Sequence, residues 1–380
     1  MSAPTSGSST FAPVKLSDGS SVPGVGFGIG TAHFGNDGPE LVETIKTALK
    51  VGFRHLDGAE SYKVRTCSRS TRCGARFEAL IKLSLSRPQN EESLGKAIAE
   101  CGLPREELYG PSSLTPTHAQ GRKLTLRLAV TTKCGAGLKD IPTSFDSSLQ
   151  KLGLAHVDLY LIHWPQDFPK PGYPTIEQAW KQLEAIRDSG RAKAIGVSNF
   201  RVRDLEKILA MPDLKHKPAC NQIEFHPFMY TAGEELYQFC ASLALPLLPR
   251  ARPALTLPRR PPAGKQHDIV IEAYGPTSPA FRFDGNRGDF DGVLDKVTKA
   301  VAARAGEGKV EPSQVLLRLA AQRGAVVITT SGKDWRMKEQ LAAGALPELT
   351  QDEIDELVAA AKPTPQRAFM KHMDDTETEF

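Results

Sequence analysis

Four side chains of chemical interest stand where a short apolar run gives way to polar residues. They are Asp57 and Tyr62 in GFRHLDGAESY, Lys133 in VTTK and His163 in LIHWP. A free phenol ionises near about 10, and an ammonium beside it favours the phenolate and lowers that value. A carboxylate paired with the ammonium fixes its position. An imidazole can hydrogen-bond a carbonyl oxygen and orient it. Together these groups suit proton donation to a carbonyl that receives hydride. Taken singly, each has a plainer reading. An Asp after a strand is more often a structural cap, a Tyr more often packing, and His163 before Trp-Pro fits a satisfied core histidine. VSNF alone reads as a helix N-cap. Their weight comes from standing together, in chain order, at strand ends. His226 in FHP reads as structural, and Trp164 either lines a substrate pocket or packs.

Short apolar strands alternate with segments of helical period along most of the chain. The strands read at 24–31, 53–57, 129–134, 157–164, 192–199, 220–225, 268–276 and 325–331. The helices read at 38–52, 90–102, 141–153, 175–190, 201–212, 233–242, 292–306 and 334–344. Strand–helix alternation implies a parallel sheet with right-handed crossovers. Eight such units predict an α/β fold of the (β/α)8 TIM-barrel type, whose chemistry sits at the C-terminal strand ends. KLSDGSSVPG (15–24) carries an Asp-Gly turn and predicts an N-terminal β-hairpin closing the barrel bottom. PTPQRAFMKHMDDTETEF (363–380) is a C-terminal tail able to shape a substrate pocket.

The chain has 380 residues, 40% hydrophobic and 24% charged, enough for a globular core. It lacks a run of about 18 apolar residues, so no membrane span is expected. Residues 1–10 read as a polar, disordered tail rather than a secretory signal. The six cysteines are scattered without C-x-x-C spacing, and they do not cluster with the nine histidines. No zinc site or redox dithiol is therefore expected, and a reducing, cytoplasmic setting is the default.

Residues 11–380 read as one barrel interrupted by three aperiodic segments, 64–89, 110–129 and about 243–264. Loops of such length are unusual inside a compact domain. The three hold thirteen Lys and Arg against one Glu, so the net charge of +4 becomes −8 without them, and no nucleic-acid partner is indicated. Deleting them restores continuous joins: SYKNEESLGKAI, REELYVTTKC and YQFCASKQHDIVIEAYGP. Codons for Val64-Arg65 and Gln89 permit splice signals, so translated introns are expected, leaving about 312 residues. The alternative is true insertions, the first beside Tyr62 and the second able to misplace Lys133.

GFRHLDGAESY, VTTK, DLYLIHWP, GVSNF, NQIEFHP and RMKEQL, in this order, resemble the aldo-keto reductase family, and ITTS resembles its fungal members. The resemblance implies a (β/α)8 barrel using NADPH without metal, a small carbonyl substrate and a monomer. It implies that Tyr62 donates the proton, that Lys133 and Asp57 tune it, and that His163 positions the substrate. Thr31 with Gly30 would lie by the pyrophosphate. Ser198, Asn199 and Gln222 would hold the carboxamide, and Tyr274 would stack on the nicotinamide. Ser331 and Arg336 would clamp the 2′-phosphate, with Glu339 and Gln340 on the adenine side. Thr330 stands where the family often has Lys, which keeps NADH open as a cofactor. GVGFGIG is not the dinucleotide fingerprint G-x-G-x-x-G. Sugar aldehydes, conjugated ketones and ketoacid lactones remain open as substrates. The alternatives are a non-catalytic NADPH-binding regulatory subunit, or an inactive chain if the insertions are real.

Overall fold

A computed structural model of the chain describes residues 11–30, 38–60, 90–102, 128–135, 138–165, 171–241, 267–283, 287–306, 308–363 and 365–369. Residues 1–10, Thr31, Tyr62, the segments 64–89 and 243–264, and 110–127 of the second segment lie outside this set. The last two residues of that segment, Leu128 and Ala129, are buried, and Ala129 begins a barrel strand.

The hairpin forms as expected. β1 (Val14–Lys15) and β2 (Ser21–Val22) pair antiparallel around the Asp18–Gly19 turn, where Gly19 has a φ of 85°. Eight strands then close a parallel barrel. They are β3 (Val25–Gly28), β4 (His55–Asp57), β5 (Ala129–Cys134), β6 (Val157–Ile162), β7 (Ala192–Ser198), β8 (Cys220–Glu224), β9 (Val270–Tyr274) and β10 (Val326–Thr329). β10 pairs with β3 and completes the ring.

Buried parallel strands are apolar on both faces, and β6 illustrates the division. Leu159 and Leu161 point into the barrel, where they meet Leu16 and Val22 of the hairpin together with Ala194, Cys220, Val270, Val326 and Ile328. Tyr160 and Ile162 point outward into the layer shared with the helices. The hairpin thus plugs the N-terminal end and leaves the C-terminal end as the mouth. Glycines in β3 make room inside: a Cβ on Gly26 would lie 2.7 Å from Ile328 Cδ1 and 3.0 Å from His55 Nδ1. The Gly-x-Gly pattern there serves barrel packing.

Among the helices, α1 (Pro39–Val51), α3 (Ile141–Leu152) and α4 (Ile176–Asp188) each bury one largely apolar stripe, whereas α2 (Asn90–Glu100) buries Leu94 and Ala97 together with Asn90, Glu91 and Ser93. α4 shows the local logic: Thr175 and Gln178 form a capping box, and Ile176, Ala179, Trp180, Leu183 and Ile186 recur on the buried face. Four helices beyond the alternation reading also form, the short Pro227–Tyr230 and Ser278–Phe281, and the longer Pro312–Gln322 before β10 and Gln351–Ala361 near the C-terminus. Pro312–Gln322 buries Val315, Leu316, Leu317, Leu319 and Ala320. Gln351–Ala361 has a readable start, a capping box of Thr350 with Glu353.

Candidate active site

Register decides which side chains meet at the mouth. Asp57 pairs with Gly28 on one side and Thr131 on the other, Ser198 with Gln222, and Gln222 with Glu272. Side chains alternate across a strand, so Asp57, Lys133, Ser198, Gln222, Glu272 and Tyr274 all face the interior near its C-terminal end.

Lys133 is fully buried, and its Nζ lies 2.7 Å from each Asp57 carboxylate oxygen and 2.9 Å from Gly58 O. A buried ion pair survives only when such acceptors offset desolvation. Gln222 Nε2 donates to Asp57 Oδ1 and Glu272 Oε2, each at 2.9 Å. His163 follows β6, with its ring 4.4 Å from that of Trp164. Burial, aided by the Lys133 charge, holds its imidazole well below the usual histidine range. A neutral imidazole offers one N–H donor and one acceptor.

Asn199, just past β7, has a φ of 60°, in the left-handed region that Asn tolerates better than most residues. Its side chain is tied on three sides. Nδ2 donates to His163 O at 3.0 Å and to Ser198 Oγ at 3.1 Å, and Oδ1 accepts from the Tyr274 hydroxyl at 2.8 Å. Ser198 Oγ in turn donates to Gln222 O at 2.8 Å.

These groups open onto one cavity of about 690 Å³, within the range of ligand sites. Asp57, His163, Trp164, Ser198, Asn199, Gln222 and Tyr274 line one part of it, and Ser331, Lys333 and Arg336 line another. At that second end the Arg336 guanidinium lies 5.1 Å from the Phe281 ring and 5.0 Å from the Trp335 ring, both half-exposed. Ser331 Oγ accepts from Lys333 N at 3.0 Å. Lys133 lies beneath the cavity wall. Glu339 and Gln340 lie one turn past Arg336 and outside the lining, where Gln340 Nε2 donates to Thr330 O at 3.0 Å. Tyr62 and Thr31 fall outside the described residues, and among those described no group of His, Cys, Asp or Glu could hold a metal ion.

A hydroxyl and two cations at one end and a hydrogen-bonded amide and phenol set at the other fit a long ligand with an anionic end. The chain also matches the Aldo/keto reductase family across residues 27–362. It belongs to that family. This aldo/keto reductase is 31% identical over 361 residues to an NAD/NADP-dependent indole-3-acetaldehyde reductase of Schizosaccharomyces pombe, covering 94% of this chain and 98% of the relative. It is 29% identical to an aldehyde reductase of Saccharomyces cerevisiae, covering 89% and 88% of the two chains. The crystal structure of an aldo/keto reductase from Brucella melitensis superposes with a TM-score of 0.60 at 27% identity, covering 92% of this chain and all of that one. The reductase is an oxidoreductase with a barrel fold, and among its described residues no helix is long and apolar enough to cross a membrane.

Sequence reasoning passed over several cavity residues. Phe369 lies in the C-terminal tail, and its ring packs edge-on against Tyr274 at 5.8 Å. The tail is pinned there by buried Glu224, which accepts from Ala368 N at 2.7 Å, Phe369 N at 3.0 Å and His226 Nε2 at 2.9 Å. His226 is therefore a buried partner of Glu224. No periodicity marks such a tail. Lys333, two positions past Ser331 in TSGKDWR, was the legible one, because it restores a cation near Thr330.

Proposed function

We propose that this chain reduces an aldehyde or ketone to the alcohol with NADPH, NADH being the alternative cofactor. The observation that carries the reading is the Lys133–Asp57 pair beside a neutral His163 at one part of a cavity whose other part holds Ser331, Lys333 and Arg336. Relatives that are NAD/NADP-dependent or NADPH-dependent by name support it. Bound nicotinamide supplies the hydride. Ser198, Asn199 and Gln222 hold its carboxamide, Tyr274 gives it an aromatic face, and Ser331 with Arg336 binds the 2′-phosphate through charge-assisted hydrogen bonds. Thr31 lies near the pyrophosphate, and Glu339 and Gln340 support the adenine side. His163 donates to the carbonyl oxygen and orients it. Tyr62 gives that oxygen its proton, and Lys133, held by Asp57, eases the loss. Trp164 walls the substrate pocket.

We further infer that 64–89, 110–129 and 243–264 are absent from the functional chain, since the joins restore family sequence. Peptides from the native organism running from Lys63 directly to Asn90 support this, and abundant peptides from within the segments sink it.

The test of function follows NADPH oxidation with a panel of aldehydes and ketones, for the full chain and for the chain lacking the three segments. Turnover in either establishes the reductase. NADPH binding without turnover in both would make the chain a non-catalytic nucleotide-binding subunit, and absence of binding would make it inactive.

A further inference from the structure

Glu272 is a carboxyl that the mechanism above does not use. It sits on β9 inside the barrel, wholly buried, between Gln222 on β8 and Val326 on β10. Its Oε2 accepts from Gln222 Nε2 at 2.9 Å, and its Oε1 is buried without a hydrogen-bond partner. The same amide nitrogen donates to Asp57 Oδ1 at 2.9 Å. A carboxyl keeps an accepting oxygen in either charge state, and Asp57 is paired with Lys133, so an amide set between the two carboxyls turns its nitrogen toward both. That leaves Gln222 Oε1 for the cavity, which Gln222 lines.

We propose that Glu272 is a positioning residue of the reductase site: it fixes which atom of Gln222 meets a bound nicotinamide carboxamide, and it couples a second carboxyl to the Asp57–Lys133 pair. This rests on the reductase reading. With Glu272 present, Gln222 offers the cofactor an acceptor, suited to the N–H2 of a carboxamide. Without it, one anchor of the amide is gone and the group can turn over.

The charge balance gives a second consequence. The groups facing Glu272 are Asp57 and His55 from β4, Lys133 and Thr131 from β5, and Cys220 with Gln222 from β8. β10 contributes only Val326 and Ile328, and β3 only glycines. Among the described residues Lys133 is the one cation of this interior, and it is engaged with Asp57. A second ionised carboxyl would leave the space with a net negative charge. Burial, and then Asp57, push Glu272 up to about 7. Below that pH the residue is neutral and the Asp57–Lys133 pair is balanced. Above it the space carries an unbalanced anion, which opposes further negative charge forming beside the Asp57–Lys133 pair during proton donation.

The test compares the full chain with Glu272→Gln and Glu272→Leu. Infrared difference spectra, parent minus each variant, of the cofactor-free protein should show a buried carboxylic acid band that fades as pH rises through about 7 and is distinct from that of buried Glu91. NADPH binding, read by tryptophan fluorescence, should weaken about tenfold in Glu272→Leu, which loses the anchoring acceptor, and be restored in Glu272→Gln, which keeps one. The pH profile of kcat/KM should fall through the same midpoint in the parent and lose that step in Glu272→Gln. A parent-minus-Glu272→Gln difference spectrum without an acid band that fades through about 7, or a pH profile identical in parent and variant, overturns the proposal while leaving the reductase intact. Should Glu272→Leu fail to fold, the spectrum and profile of Glu272→Gln decide alone. A parent chain that binds no nicotinamide cofactor overturns the reductase reading and this proposal with it.

Discussion

Removing the Lys133 ammonium leaves Asp57 a buried carboxylate with only the Gln222 amide to face it. Breaking a buried pair from one side costs about 3–5 kcal/mol, and losing the tuning of a general acid costs about 10²-fold or more in rate. Lys133→Met is therefore expected to lower kcat by that order and stability by about 3 kcal/mol, read by steady-state kinetics and denaturant unfolding. A variant unfolding like the parent would mean the pair contributes no stability. At the far end of the cavity, Arg336→Met should weaken NADPH binding about tenfold and leave NADH binding nearly unchanged, because only the 2′-phosphate needs the guanidinium fork. Equal losses for both cofactors would place Arg336 against the adenine alone. Lys333 lines the same end, so some discrimination should survive in that variant.

Helix packing sets the next scale. Gly95 lies in α2, and a Cβ there would sit 2.5 Å from Leu152 O and 2.6 Å from Lys151 O at the end of α3. In an isolated helix Ala is favoured over Gly by about 1 kcal/mol. Here the obstacle is backbone, which cannot swing aside, and overpacking costs about 1–3 kcal/mol. Gly95→Ala should thus destabilise by about 2 kcal/mol in thermal or denaturant unfolding, and a gain in stability would show that α2 and α3 separate readily. The elements themselves were largely legible. All eight barrel strands and eight flanking helices follow from the alternation of short apolar runs with segments of helical period, most of them set off by Gly or Pro. Pro312–Gln322 was passed over although Val315, Leu316 and Leu319 keep helical spacing and Glu311 with Gln314 forms a capping box. Gln351–Ala361 carried its signal in Thr350 and Glu353.

The whole molecule should be most stable near neutrality. His55, His163 and His226 are buried with pKa values lowered first by desolvation. Below about 6.5 their unfolded forms take up protons that the folded forms refuse, so acidification costs up to about 1.4 kcal/mol per pH unit for each. Glu91 and Glu272 act oppositely. Burial raises both, so above about 4.5 the unfolded state releases protons that the folded state keeps, and stability falls with rising pH up to the folded values. Three histidines outweigh two carboxyls, so the melting temperature should drop as pH falls below about 6.5. A melting temperature rising steadily from pH 7 to pH 5 would contradict this. What the sequence by itself determined is the alternation that makes a barrel, the bottom-closing hairpin, and the placing of Asp57, Lys133 and His163 at strand ends, because period and turn chemistry are local properties. Tertiary structure alone decided the Asp57–Lys133–Gln222–Glu272 chain, the neutral state of His163, and the seating of Phe369 over Tyr274. Those depend on strand register and on exclusion of water, which act between residues far apart in the chain.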